Sequence, residues 1–253
     1  MDLQLTGARV LVTGGTRGIG RATVGAFVDE GAVVEFCARD AGEIEVTEKE
    51  ITEREGRATG VLLDVRDGPA LTAWVEAAAE RLGGLDAVVA NASALAIPDT
   101  EENWYTSFEV DLMHTVRLAK AAIPYLERSG KGSILAVSSV ASRESGGFSG
   151  PYGTMKTALV GYISGLALKL AGRGVRANVV SPGTTYFPGG LWQSIERGDP
   201  GGFAAALGWN PTGRMGGPEE MAKAVVFLTS PASSFTTGAH LVVDGAFTRG
   251  IQL

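Results

Sequence analysis

Short, unbroken apolar runs recur along this chain, separated by longer stretches in which apolar residues return at helical spacing. The runs are Ala8–Val12, Ala32–Cys37, Arg57–Leu63, Asp86–Ala90, Ser133–Ser138, Val175–Val180 and His240–Val243. Such runs do not alternate, so they predict strands buried on both faces, the pattern of a parallel sheet. Helices are predicted up to Gly31 and over Pro69–Leu82, Thr106–Glu127, Tyr152–Ala171 and Glu219–Leu228. The alternation shows no linker, repeat or low-complexity segment, and it predicts a single α/β domain over residues 1–253, a doubly wound parallel sheet of about seven strands with helices on both faces. Ligands of such sheets bind beyond the C-terminal ends of the strands. The chemistry is therefore expected in the segments that follow each strand.

The first of these segments is Thr13-Gly14-Gly15-Thr16-Arg17-Gly18-Ile19-Gly20, between a strand and a helix. Glycines there allow a tight turn and close approach of the backbone, and the helix N-terminus offers N–H groups and a positive dipole end to a phosphate. With Ala32–Cys37 as the next strand, the unit reads as a Rossmann-type dinucleotide site.

Composition narrows the classes. At 253 residues, 45% hydrophobic and 20% charged, the chain can bury a sizeable core without staples. A formal net charge of −6 speaks against nucleic-acid binding, which wants a basic face. Cys37 is the single cysteine, so no intrachain disulfide can form, and its apolar strand predicts a small buried residue. No run reaches the roughly 18 apolar residues of a membrane span, and Met1-Asp2-Leu3-Gln4 lacks a basic-then-apolar leader profile. The expectation is a soluble cytoplasmic protein. His114 and His240 have no Cys or His partners at ligand spacing, so no metal site is expected.

Tyr152 and Lys156 are four residues apart and share one helix face. A free phenol titrates near 10, and a neighbouring ammonium favours the phenolate. Tyr152 can then exchange a proton with a carbonyl or alcohol oxygen, while Ser139, at the end of the fifth strand, hydrogen-bonds the same oxygen.

These residues, with the glycine loop, Asn91-Ala92-Ser93 and Ser181-Pro182-Gly183-Thr184-Thr185, resemble the short-chain dehydrogenase/reductase family over essentially the whole chain. The resemblance implies catalytic Ser139, Tyr152 and Lys156. It implies cofactor contacts from Gly14, Thr16, Arg17, Gly18, Ile19, Gly20, Asp64, Val65, Asn91, Ala92, Tyr152, Lys156, Pro182, Gly183 and Thr185. Two positions depart from the family pattern. Asp111 stands where the family usually places an Asn that helps hold a water beside the lysine, and Ser93 stands where it commonly has Gly. An ionised Asp111 is expected to offset part of the Lys156 field at Tyr152. Ala38-Arg39 follows the second strand where NAD-binding members carry an acid, and Arg17 adds a second cation, so NADP(H) is expected over NAD(H).

Residues 184–217 carry Tyr186, Phe187, Trp192, Phe203 and Trp209 among Gly and Pro, and are expected to form a substrate lid, joined by Phe148 and Leu95. The expected substrate is a hydrophobic or ring-bearing carbonyl compound. The resemblance also leaves open a 3-oxoacyl-carrier-protein reductase, with Arg128, Lys131 and Arg173 toward an acidic carrier, and a non-catalytic nucleotide sensor of the same fold. It implies a homo-oligomer, most often a tetramer, with Ala158, Gly161 and Gly165 on the Tyr152 helix permitting close approach.

Overall fold

The strands of the computed structural model are β1 (Arg9–Thr13), β2 (Val33–Ala38), β3 (Arg57–Leu62), β4 (Ala87–Ala90), β5 (Gly132–Val137), β6 (Val175–Pro182) and β7 (His240–Val243). The helices are α1 (Gly18–Asp29), α2 (Ala41–Glu53), α3 (Gly68–Leu82), α4 (Glu101–Ser107), α5 (His114–Ser129), α6 (Pro151–Leu170), α7 (Leu191–Gly198), α8 (Pro200–Gly208) and α9 (Pro218–Thr229). Residues 1–146 and 148–250 are described. Among them the seven strands form one sheet, parallel throughout, in the order β3-β2-β1-β4-β5-β6-β7. The sheet is the predicted one. Because β1 to β3 run outward in one direction and β4 returns beside β1, a crevice opens at the C-terminal ends of β1 and β4.

Alternate side chains of β1 feed two cores. Leu11 joins Leu71, Leu118 and Ile163 of α3, α5 and α6 on one face. Val10 and Val12 join Phe27, Ile44 and Val225 of α1, α2 and α9 on the other. Each such side chain, once buried, contributes about 1.5–3 kcal/mol. Cys37 is buried as expected, and burial pushes its thiol up to about 12, which leaves it inert at neutral pH.

Three departures from the sequence reading bear on the site. Helix α2 lies where no element was expected; it is mostly polar and buries only Ile44, Thr47 and Ile51. The predicted Thr106–Glu127 helix starts earlier, at Glu101, capped by the Thr100 hydroxyl on Asn103 N–H. It then widens into a π-turn over Phe108–Met113, where His114 N–H bonds the Glu109 carbonyl five residues back. The cause is a side chain: the His114 ring Nδ1–H donates to the Val110 carbonyl that an α-helix would have given to the backbone. Finally, the expected lid is more ordered than its Gly and Pro content suggests. It folds as α7 and α8 around its own small core of Trp192, Ala206 and Met215.

Candidate active site

The loop from Thr13 to Gly20 is tied down by the neighbouring strand end. The Asn91 amide donates to the carbonyls of Thr13 (3.0 Å) and Gly14 (3.1 Å), and the Thr13 hydroxyl accepts from the N–H groups of Asn91 (3.0 Å) and Ala92 (3.2 Å). Asn91 therefore braces the loop with both amide hydrogens. Gly18 has φ +49°, a conformation that disfavours a side chain, and any side chain at Gly20 would run into the Gly14 carbonyl. Helices α2, α3 and α4 have their first turns capped by Asp40, Asp67 and Thr100, but α1 has neither a side-chain cap nor an acid in its first turn. Its uncapped N–H groups open on a cavity of about 800 Å³. An anion seated there would complete the helix, so the residues fit the pyrophosphate of a dinucleotide.

Gly14, Thr16, Arg17, Gly18, Ile19 and Gly20 line this cavity together with Arg39, Asp64, Val65, Asn91, Ala92, Pro182, Gly183 and Thr185. All the sequence-predicted cofactor residues thus share one cavity with Ser139, Tyr152 and Lys156. Arg17 and Arg39 both reach its β2 end, but that rim is of mixed charge. Glu43, which the sequence reading missed, accepts from the Thr16 hydroxyl at 2.8 Å and lies 3.7 Å from the Arg17 guanidinium. Asp64 is held by a forked pair with Arg66, its nearest contact 2.6 Å, and this pairing keeps its carboxyl below the usual range. Both partners lie within a few residues of predicted positions, yet nothing in their local pattern marks them.

At the other end of the cavity, α6 begins with Pro151 at its first position and carries Tyr152 and Lys156 inward, both buried. Lys156 Nζ donates to the Val137 carbonyl at 3.1 Å, lies 3.3 Å from Asp111 Oδ1, and sits 5.7 Å from the centre of the Tyr152 ring. Ser139, at the end of β5, is in hydrogen-bonding reach of the phenol. Burial pushes the Tyr152 phenol above its ordinary value; Lys156 and Ser139 pull it down, and Asp111 pushes it up again. The expected lowering by Lys156 is present but outweighed by desolvation. Asp111, placed by the π-turn, thus reaches the lysine as expected.

Phe148, Phe187, Trp192 and Phe247 line the cavity mouth with Leu95 and Leu191. Phe148 meets Trp192 edge to face at 6.1 Å, Trp192 meets Trp209 at 6.5 Å, and Trp209 meets Phe247 at 6.1 Å. Tyr186 and Phe203, in the same 184–217 segment, pair with each other and do not line the cavity. Phe247 was not expected, because it comes from the segment after β7. His240 sits on β7 with Nε2 2.6 Å from the Ser181 hydroxyl. No helix among the described residues is long and apolar enough to cross a membrane.

Comparison with known proteins places this geometry. A family model described as enoyl-(acyl carrier protein) reductase matches residues 14–248. The chain is 41% identical to isoepoxydon dehydrogenase of Penicillium expansum, over 98% of this chain and 97% of the relative. It is 34% identical to L-fucose dehydrogenase of Bos taurus, over 99% and 93% respectively. L-Sorbose reductase of Gluconobacter frateurii, solved with NADPH and L-sorbose, superposes with a TM-score of 0.91 at 26% identity, covering 99% of this chain and 100% of that one.

Proposed function

Because the chain belongs to the short-chain dehydrogenase/reductase family, and so is an NAD(P)-dependent oxidoreductase of CH–OH and C=O groups, we propose that it is an NADPH-dependent reductase of ring-bearing ketones. The observation that carries this reading is the meeting of Ser139, Tyr152 and Lys156 in one cavity with the uncapped N-terminus of α1. When bound, the nicotinamide supplies the hydride. Ser139 and Tyr152 hydroxyls hold the substrate oxygen, and Tyr152 delivers the proton as negative charge develops there. Lys156, fixed by the Val137 carbonyl, stabilises the phenolate left behind. The lid over residues 184–217 closes the mouth and excludes water.

Aromatic walls at the mouth suit a flat or cyclic ketone, and the 41% identity to an isoepoxydon dehydrogenase supports a small oxygenated ring. A panel of cyclic and linear ketones, with NADPH consumption followed by absorbance, tests the reading. Turnover of cyclic ketones at least tenfold above linear ones is expected; no turnover of any ketone would reject it.

The preference for NADPH rests on Arg39 and Arg17, which line the same end of the cavity. Losing a charge-assisted hydrogen bond costs roughly 1.5–3 kcal/mol, so Arg39→Ala is expected to weaken NADPH by about tenfold or more. NADH affinity should barely change. Calorimetric titration decides, and equal losses for both cofactors would end the assignment.

For assembly we propose a homotetramer. On α6, Gly161 and Gly165 have open space above them and share a face with Leu168, which is 87% exposed. Phe235, fully exposed, lies just before β7, the edge strand. Light scattering at micromolar concentration should return four chains, and a monomer would refute the proposal.

A further inference from the structure

The two positions at which the sequence departs from the family pattern meet in space. Ser93, in the loop after β4, donates its hydroxyl to Asp111 Oδ1 at 2.5 Å, and the same oxygen lies 3.3 Å from Lys156 Nζ. Asp111 and Lys156 are both buried, and Asp111 Oδ2 has no hydrogen-bond partner among the described residues. An ionic side chain in that position is costly unless something holds it.

We propose that Ser93 and Asp111 act as one positioning unit that offsets the Lys156 charge, adds to burial in favouring the Tyr152 phenol over the phenolate, and so biases the enzyme toward carbonyl reduction. This rests on Tyr152 being the proton donor of the proposed reaction. Reduction needs the phenol, whereas alcohol oxidation needs the phenolate. A carboxylate 3.3 Å from the ammonium cancels part of the field that would create phenolate, and it does so inside the protein where solvent screens little. Ser93 fixes which carboxylate oxygen faces the lysine. The hydroxyl has a structural consequence too, because it also accepts from Leu95 N–H at 3.2 Å and so orders the cavity rim.

Asp99, bonded by the Trp104 indole N–H, lies beside Gly150, two residues before Tyr152, and three side chains act on the phenol itself. Its own helix brings Lys156, the end of β5 brings Ser139, and the π-turn brings Asp111. His114, behind Asp111 and Lys156, is held down to about 4 by burial and is neutral at working pH. Helix α4 carries Glu101 and Glu102 on its exposed side, and Arg176 of β6 is bonded to carbonyls at the end of α9. Asp111 is therefore the acid that acts on the phenol, on top of burial.

The test reads the phenol directly, without substrate. The ultraviolet absorbance of tyrosinate is titrated in the wild-type chain, Asp111→Asn, Ser93→Gly and the double variant, each against the same chain carrying Tyr152→Phe, and circular dichroism marks the alkaline limit of folding. Asp111→Asn is expected to lower the Tyr152 titration by about one pH unit or more, roughly a tenfold gain in phenolate at a fixed pH. Ser93→Gly should lower it by a smaller amount when Asp111 is intact, because the carboxylate is no longer held against the lysine, and leave it in place when Asp111→Asn is already present. Alcohol oxidation should follow, with its optimum moving toward neutrality in Asp111→Asn. An unmoved phenol in Asp111→Asn, or no phenol titrating in either chain before unfolding, overturns the proposal. So does an equal effect of Ser93→Gly in both backgrounds. Should the Asp111→Asn variant not fold, the sign of the Ser93→Gly shift decides alone: downward supports the unit, and no shift or an upward one refutes it. If the phenol moves as stated while no ketone is turned over, the functional reading fails and the electrostatic one survives.

Discussion

Tyr152→Phe is expected to abolish nearly all ketone reduction, by about a thousandfold in kcat, while NADPH affinity stays within a few fold. General acid catalysis of this kind is worth roughly 10² to 10⁴ in rate, and the ring is the part of Tyr152 that the fold uses. The side chain is buried at the start of α6, so Phe keeps the packing and removes only the oxygen. Ser139 cannot take over the transfer. Its oxygen accepts from Ala141 N–H at 3.1 Å and is fixed as a hydrogen-bonding group, and an alcohol is a far weaker acid than a phenol. Lys156 is tied to the Val137 carbonyl and to Asp111, and its ammonium is used to stabilise the phenolate. Steady-state rates across the ketone panel, with cofactor binding followed by nicotinamide fluorescence, check this. A Phe variant retaining a tenth or more of the rate on a good substrate would remove Tyr152 from the chemistry.

Which features could be read from the sequence follows from how local their causes are. β1 was expected at Ala8–Val12 and lies at Arg9–Thr13, and β5 was expected at Ser133–Ser138 and lies at Gly132–Val137. Strands buried on both faces appear as apolar runs, so the sheet and the ends of its strands are legible. The dinucleotide loop and the Tyr152–Lys156 spacing are legible for the same reason, since each is a short stretch with its own geometry. Helix α2 was missed because it lies on the sheet by three buried residues only, too few to leave a periodic signal against its acids. Helices α7 and α8 were hidden by Gly and Pro, and they hold together through contacts such as Phe148 with Trp192, more than forty positions apart in the sequence. The π-turn is caused by one ring meeting one carbonyl, Glu43 matters because it meets Thr16, and Ser93 matters because it meets Asp111. Pairings of that kind belong to the folded chain and have no local signature.

The second large effect concerns the loop itself: Gly20→Ala should lower NADPH affinity by about a hundredfold or more while the chain still folds. A methyl group at this position would sit 2.0 Å from the Gly14 carbonyl oxygen and 2.4 Å from the Asn91 amide nitrogen. Neither neighbour can give way cheaply. The carbonyl is backbone, and the Asn91 amide holds it and the Thr13 carbonyl at 3.1 and 3.0 Å. Relief requires the loop to lift off β4, which turns the first N–H groups of α1 away from the pyrophosphate they are placed to bind. Overpacking of this kind costs roughly 1–3 kcal/mol, which for a chain of this size lowers Tm by several degrees without abolishing folding. Gly172→Ala is the matched control, because a Cβ there meets nothing within 4 Å and the backbone needs no positive φ. Thermal melts and NADPH titrations of the two variants separate a local cause from a general one. Near-normal NADPH binding by Gly20→Ala would mean that the helix end does not hold the cofactor phosphates, and the dinucleotide would then have to lie elsewhere in the cavity.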